Sequence, residues 1–148
     1  MFRRKGFTII ELLIVIAVIA ILVGIALPRF KGMRDEGNIT RAKSELRTLQ
    51  TAVESYYVHN TSTYPANLNL LITATPTIVG VVPTDPFNGT NVYGYALDGG
   101  SPANYYVLYS IGPGGNGSAT VSNVGVVTET NPASCIYVTN GTATDTQP

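Results

Sequence analysis

Residues 7–27 form an apolar stretch of 21 residues interrupted by one charge, Glu11, and this stretch limits what the chain can become more than any other feature. As an α-helix it rises about 31 Å, which matches the roughly 30 Å hydrocarbon core of a bilayer. Fourteen Leu, Ile and Val residues lie between Ile9 and Leu27. At roughly −0.5 kcal/mol each, they contribute about −7 kcal/mol of apparent insertion free energy. A carboxylate close to one end of the span does not reverse that sum. Ahead of the stretch stand Arg3, Arg4 and Lys5, which by the positive-inside bias hold the N-terminus in the cytoplasm and send the remainder across. An ordinary secretory signal differs, since its small-residue cleavage site follows an apolar region of about 7 to 15 residues.

Glu11 asks for a reason, because an ionisable group within a span is a functional hypothesis whose partner has to be named. No evident partner is read from the precursor sequence. A cut between Gly6 and Phe7 would create an α-amino group four positions before Glu11, at the positive end of the helix, where a carboxylate is favoured. The same amine on a neighbouring copy would make Glu11 a register pin between otherwise interchangeable apolar helices. The plainer alternative is a Glu tolerated by snorkelling to the interface.

Charge is divided along the chain. All nine Lys and Arg residues fall between Arg3 and Arg47, whereas from residue 48 onward the charged side chains are Glu54, Asp85, Asp98, Glu129 and Asp145, a formal charge of −5. The charged fraction of 12% is about half the usual value for a soluble domain, which favours a membrane or assembly role. A head without cations offers no nucleic-acid footprint. The single cysteine, Cys135, excludes an intrachain disulfide; it reads as a small buried side chain, with a nucleophile or an intermolecular bridge as alternatives.

Residues 5–30, KGFTIIELLIVIAVIAILVGIALPRF, resemble the N-terminus shared by bacterial type IV pilins and type II secretion pseudopilins. The resemblance implies a leader of residues 1–6, cut after Gly6 by a prepilin peptidase that also N-methylates Phe7, and it places the family's assembly glutamate at Glu11. It also implies an α+β fold in which a long N-terminal helix, spanning the membrane in its first half, packs on a small antiparallel sheet. The implied partners are identical subunits in a filament, the peptidase, an inner-membrane assembly platform, and minor pseudopilins or pilins. The implied location is the inner membrane, in a single pass, followed by a periplasmic or extracellular filament.

The expected organisation is a leader at 1–6, a spanning and assembly helix at 7–28, an amphipathic stem helix at 29–60, a β head at 61–138 and a flexible tail at 139–148. Pro28 lacks an N–H and crowds the carbonyl of Gly24, so the helix should kink or loosen between them. In the resembled filaments this segment loses helical structure on assembly; a rigid proline kink is the alternative. Further on, Ile39, Ala42, Leu46, Leu49, Val53 and Tyr56 recur at spacings of three and four, one stripe of an amphipathic helix. His59 falls at the expected helix end as a cap or surface residue. Residues 60–65 read as a turn, and 79–82 as a short strand ended by Pro83. Residues 91–97 and 105–111, separated by DGGSPAN, form the clearest hairpin. On it, Tyr93, Tyr95 and Leu97, and opposite them Tyr105, Val107 and Tyr109, alternate toward the helix stripe. Residues 124–128 and 135–139 are further strands, and 112–118 an open loop.

Within the head, residues 82–89, VPTDPFNG, then Tyr93 and Tyr95, then residues 106–115, YVLYSIGPGG, are similar to the major pseudopilin of type II secretion. In that family the loop continues with aspartates that help bind calcium. Here Pro113 and Gly114 follow Gly112, and the loop holds no carboxylate, although calcium takes six to eight oxygens, some of them anionic. This argues against an equivalent calcium site, and no other cofactor is implied. The chain also continues for about thirty residues beyond the loop.

The leading expectation is therefore the major subunit of a type II secretion pseudopilus, with a type IV pilus subunit for adhesion, motility or DNA uptake as the alternative. A membrane-anchored enzyme is the reading from another class, but Glu54, His59, Asp85, Asp98 and Cys135 form no local catalytic pattern. Nine tyrosines raise electron transport along a filament, although their alternation reads more simply as packing. The five Asn-x-Ser/Thr sequons follow from an Asn-rich and Thr-rich composition.

Overall fold

The computed structural model describes residues 6–132 and 134–142, and of residues 28 and 29 the backbone alone. The chain divides into two compact units, Met1–Glu36 and Gly37–Pro148. The helix α1, Ile9–His59, is assigned without a break through residues 24–28.

In the first unit, among the described residues, the helix leaves its apolar side chains uncovered. Its large apolar side chains from Ile9 to Leu27 are all exposed, by no less than 47%. A helix apolar all round and covered by nothing is built for lipid or for other helices.

In the second unit the stripe read from the sequence faces inward. Ala42, Leu46, Leu49 and Val53 are buried, with Ile39 and Tyr56 packed beside them. They meet a three-stranded antiparallel sheet of order β1-β2-β5, made of β1 (Gly94–Leu97), β2 (Tyr106–Ser110) and β5 (Ile136–Thr139). The hairpin forms in the expected place, with Leu97 opposite Tyr106 and Gly94 opposite Tyr109. Gly94 is required there, because the Tyr109 ring lies where a Cβ would project.

One face of that hairpin differs from the sequence reading. Tyr93, Tyr95 and Leu97 do join the helix-side core, but on β2 the residues that join it are Tyr106 and Leu108. Val107, Tyr105 and Tyr109 point the other way, into a second core. The reason is a further layer that no periodicity announced: β3 (Ser118–Val121) pairs antiparallel with β4 (Val127–Thr130) and covers the back of the sheet. Tyr106, Val107 and Leu108 are each 0% exposed, and a strand buried on both faces has no polar side to reveal which way it points.

Three other expectations change. Residues 79–82 are not a strand; the N–H groups of Ile78 and Val79 both donate to the Leu71 carbonyl, at the end of a short helix α2, Leu70–Thr73. Residues 112–117 form a compact turn and not an open loop: Gly115 N donates to Gly112 O at 3.0 Å and Gly117 N to Ile111 O at 3.0 Å. Gly112 has φ +62 and lies against the Ser134 carbonyl, so a side chain there would meet both backbone strain and a collision. The expected tail is tied in at its start, since Thr139 ends β5 and Thr142 bridges Val126. Positions 143–148 lie outside the described residues.

Candidate functional site

The exposed first turn of α1 is the part of the molecule built around a charge. Thr8 N and Thr8 Oγ1 each donate to Glu11 Oε2 at 2.9 Å, and Glu11 N donates back to Thr8 Oγ1 at 3.3 Å. This is a capping box, in which two residues three apart satisfy each other's orphan backbone groups at a helix start. Glu11 therefore has a partner within its own chain, contrary to the sequence reading. The signal was present as Thr-x-x-Glu ahead of an apolar run. The box fixes the carboxylate at the positive end of the helix, next to the Gly6–Phe7 bond.

Gly6 is exposed, and a Cβ there would meet nothing within 4 Å. Phe7 is 85% exposed. Gly24 is likewise open on all sides. Arg3, Arg4 and Lys5 lie outside the described residues, and so does the side chain of Pro28.

The remaining titratable groups hold the head together. Asp85 is 1% exposed, yet three donors surround it. Phe87 N (2.9 Å) and Ser110 Oγ (2.8 Å) donate to Oδ1, and Ile111 N (2.9 Å) donates to Oδ2. It fastens the 83–89 loop to the end of β2. Beside the local bond from Phe87, burial and two partners some 25 residues away place it in the core.

Glu45 accepts from Tyr93 Oη at 2.6 Å and from Arg41 Nε at 2.8 Å, and Glu54 accepts from Tyr106 Oη at 2.7 Å. These bonds tie α1 to the sheet. Burial, followed by the bond to the carboxylate, raises both phenols well above the ordinary tyrosine range. Asn140, which the sequence reading passed over, accepts from Tyr106 N (2.8 Å) and donates to Tyr64 Oη (3.0 Å) and Asn104 O (2.9 Å). Only its position in a sequon had drawn notice.

Asp98 closes the hairpin loop, taking Gly100 N on Oδ1 (2.9 Å) and Asn104 N and Tyr105 N on Oδ2 (3.1 and 3.2 Å). The Gly100 bond, the largest influence, holds its carboxyl below the ordinary 3.8; burial opposes it, and the weaker bonds from Asn104 and Tyr105 add to the lowering. A carboxyl depressed by folding stabilises above its unfolded pKa and loses that contribution as pH falls through the folded one. Amide exchange at Gly100, Asn104 and Tyr105 is therefore expected to accelerate selectively below about pH 4. Unchanged protection there at about pH 2 would remove this role.

No catalytic arrangement emerges from these groups. His59 Nδ1 bonds the Ser55 carbonyl at 2.8 Å at the end of α1. Cys135 is buried, and burial, with Glu129 nearby, pushes its thiol up to about 12, so it is not a thiolate nucleophile at neutral pH. Among the described residues no three His, Cys, Asp or Glu side chains are grouped to hold a metal ion. Tyr57, Tyr64, Tyr106 and Tyr95 stand at successive ring-centroid separations of 4.5, 4.9 and 6.2 Å, the last three in or against the helix-side core.

Comparison with known proteins bears on the N-terminal segment. A family model described as the prokaryotic N-terminal methylation motif matches residues 1–27. The chain is 49% identical over 59 residues to the fimbrial protein EcpB of Eikenella corrodens, covering 40% of this chain and 37% of that one. It is 50% identical over 52 residues to a fimbrial protein of Pseudomonas aeruginosa, covering 35% and 34%, and 44% identical over 55 residues to the type IV major pilin protein PilA of Myxococcus xanthus, covering 37% and 25%. The matches span between 25% and 37% of the length of these curated relatives. No solved structure matches the chain.

Proposed function

We propose that the chain is a member of the type IV pilin superfamily and a structural subunit of an extracytoplasmic filament, a reading supported by the methylation-motif match over residues 1–27 and by the fimbrial and pilin relatives of that segment. The observation that carries this reading is the exposed apolar helix opening on the Thr8–Glu11 capping box, directly after a glycine that nothing crowds. The precursor is held in the inner membrane with its N-terminus inside, cut between Gly6 and Phe7, N-methylated on Phe7, and added to a growing fibre of identical subunits. The peptidase, an assembly platform and minor subunits are its partners.

The fibre is a type II secretion pseudopilus. The Pro83–Gly89 run leading to Tyr93 and Tyr95 supports this, with Asp85 as the clasp that gives the loop its shape. A surface pilus is the second reading, supported by the fimbrial and pilin names of the relatives. Electron micrographs of sheared cells separate the two: long surface filaments containing this chain would favour the pilus.

Processing is tested at Gly6. Replacing it with valine should abolish cleavage, since a peptidase pocket fitted to a residue without a side chain does not admit a β-branched one. The fold has no objection, because a side chain at Gly6 meets open space. The intact mass of the membrane-extracted protein reads the outcome. A wild-type subunit starting at N-methylated Phe7 and an uncut Gly6→Val variant are expected; normal maturation of the variant, or a wild-type start beyond Leu27, would overturn the site.

A further inference from the structure

The apolar stretch ends at Leu27, but the exposed apolar surface does not. Phe30 is 60% and Met33 66% exposed, and between and after them stand Lys31 and Arg34, also exposed. Phe30 and Met33 are three apart, as are Lys31 and Arg34, so each pair shares a side of the helix and the two sides adjoin. Among the described residues neither Lys31 nor Arg34 forms an ion pair; the Arg41–Glu45 pair lies further along the helix.

We propose that these four residues form a docking belt for the phospholipid headgroup layer on the far side of the membrane. In it Lys31 and Arg34 hold lipid phosphates, while Phe30 and Met33 sit at the boundary with the acyl chains. The inference rests on the membrane-stored subunit proposed above. If residues 7–27 fill the hydrocarbon core, Phe30 lies about 4.5 Å and Arg34 about 10 Å beyond it along the helix axis. A headgroup region adds roughly 5–7 Å on each side of the core, so the belt straddles the layer.

Two carboxylates, Asp35 and Glu36, follow at once, and geometry separates them from the cations. On a helix every Cα–Cβ bond tilts toward the N-terminus, which here is toward the bilayer. The long Lys and Arg side chains lean back to the phosphates, as they do at membrane interfaces generally. The shorter Asp35 and Glu36 start one and two residues beyond Arg34, further from the bilayer. Anionic headgroups should then be enriched around the belt by about fivefold for one fully engaged cation, more for two.

The chain has no tryptophan, so Phe30→Trp supplies a local probe in the full-length protein. Reconstituted in phosphatidylcholine vesicles, the introduced indole should be quenched by a spin label at the headgroup or upper acyl chain and little by one deep in the acyl chain. In mixed vesicles, spin-labelled phosphatidylglycerol should quench it severalfold more effectively than spin-labelled phosphatidylcholine. Adding Lys31→Gln and Arg34→Gln should bring the two lipids level, while Arg3→Gln, Arg4→Gln and Lys5→Gln, at the other end of the span, should leave the preference in place. Equal quenching by both lipids in the Phe30→Trp protein, or a preference that survives loss of both cations, overturns the proposal, and level quenching only after the leader substitutions would do the same. Failure of the chain to enter vesicles at all would instead strike the membrane reading beneath it.

Discussion

Filaments are expected to vanish in Glu11→Ala while the membrane pool of cut, methylated subunit stays at the wild-type level. Insertion gains from the loss of a charge, and the proposed cut between Gly6 and Phe7 lies ahead of the capped turn, so cleavage should tolerate the loss of the Thr8 bond. On the proposed pairing, what is lost is the partner for the Phe7 amine of the preceding subunit, which would leave a cation alone among apolar helices. Repeated at each subunit, that deficit stops growth. Because the structure places Glu11 in a capping box with Thr8, a second variant is needed to separate the two roles. Thr8→Ala removes the hydroxyl of the box and leaves the carboxylate, so it should assemble. Quantifying subunit in sheared and membrane fractions decides the matter. Wild-type filament yield in Glu11→Ala makes the residue a passenger, and equal failure of both variants makes capping its whole role.

The second large effect is on the head. Asp85→Ala should destabilise the protein by about 3–5 kcal/mol, since Phe87 N, Ile111 N and Ser110 Oγ lose their acceptor inside a site that water does not reach. For a unit of this size that corresponds to a melting temperature lower by about 15 °C or more, followed by near-UV circular dichroism of the tyrosines in the full chain. Asp85→Asn keeps the shape and one acceptor oxygen, so it should lose distinctly less. A change of under about 1 kcal/mol in Asp85→Ala would mean the 83–89 loop is held by other contacts.

The helix stripe was legible because it has one wet face, and the hairpin because the run DGGSPAN separates two apolar segments. Ile39 to Tyr56 alternates with Arg41, Lys43, Glu45 and Arg47, so apolar spacing alone locates the buried side. On β2 this contrast is missing. Tyr106, Val107 and Leu108 are all buried, and assigning Val107 to the helix side was a choice between two equivalent patterns that a one-residue offset reverses. β3 was hidden for a related reason: Ser118 to Val121 is a short run of small residues following a glycine-rich turn, and its partner β4 begins at Val127, later than its apolar content suggested.

The site was legible in another sense. Gly6, Phe7 and Glu11 stand out by chemistry, a glycine at a charge boundary and an acid in an apolar run. The Thr8–Glu11 box is equally visible as a spacing, Thr-x-x-Glu ahead of an apolar run. Asp85 could not be assigned from its neighbours, because two of its three donors come from residues 110 and 111.

The side-chain ties between α1 and the sheet include two tyrosine hydroxyls on glutamates, Tyr93 to Glu45 and Tyr106 to Glu54. A neutral donor held on a part-buried carboxylate is a short-range contact that dissolved ions screen weakly, unlike a pair of exposed opposite charges. No lysine or arginine lies in the sheet to depend on such a pair. These two ties of the head accordingly depend little on dissolved ions, a property that would suit the proposed subunit in surroundings whose ionic strength the cell does not set.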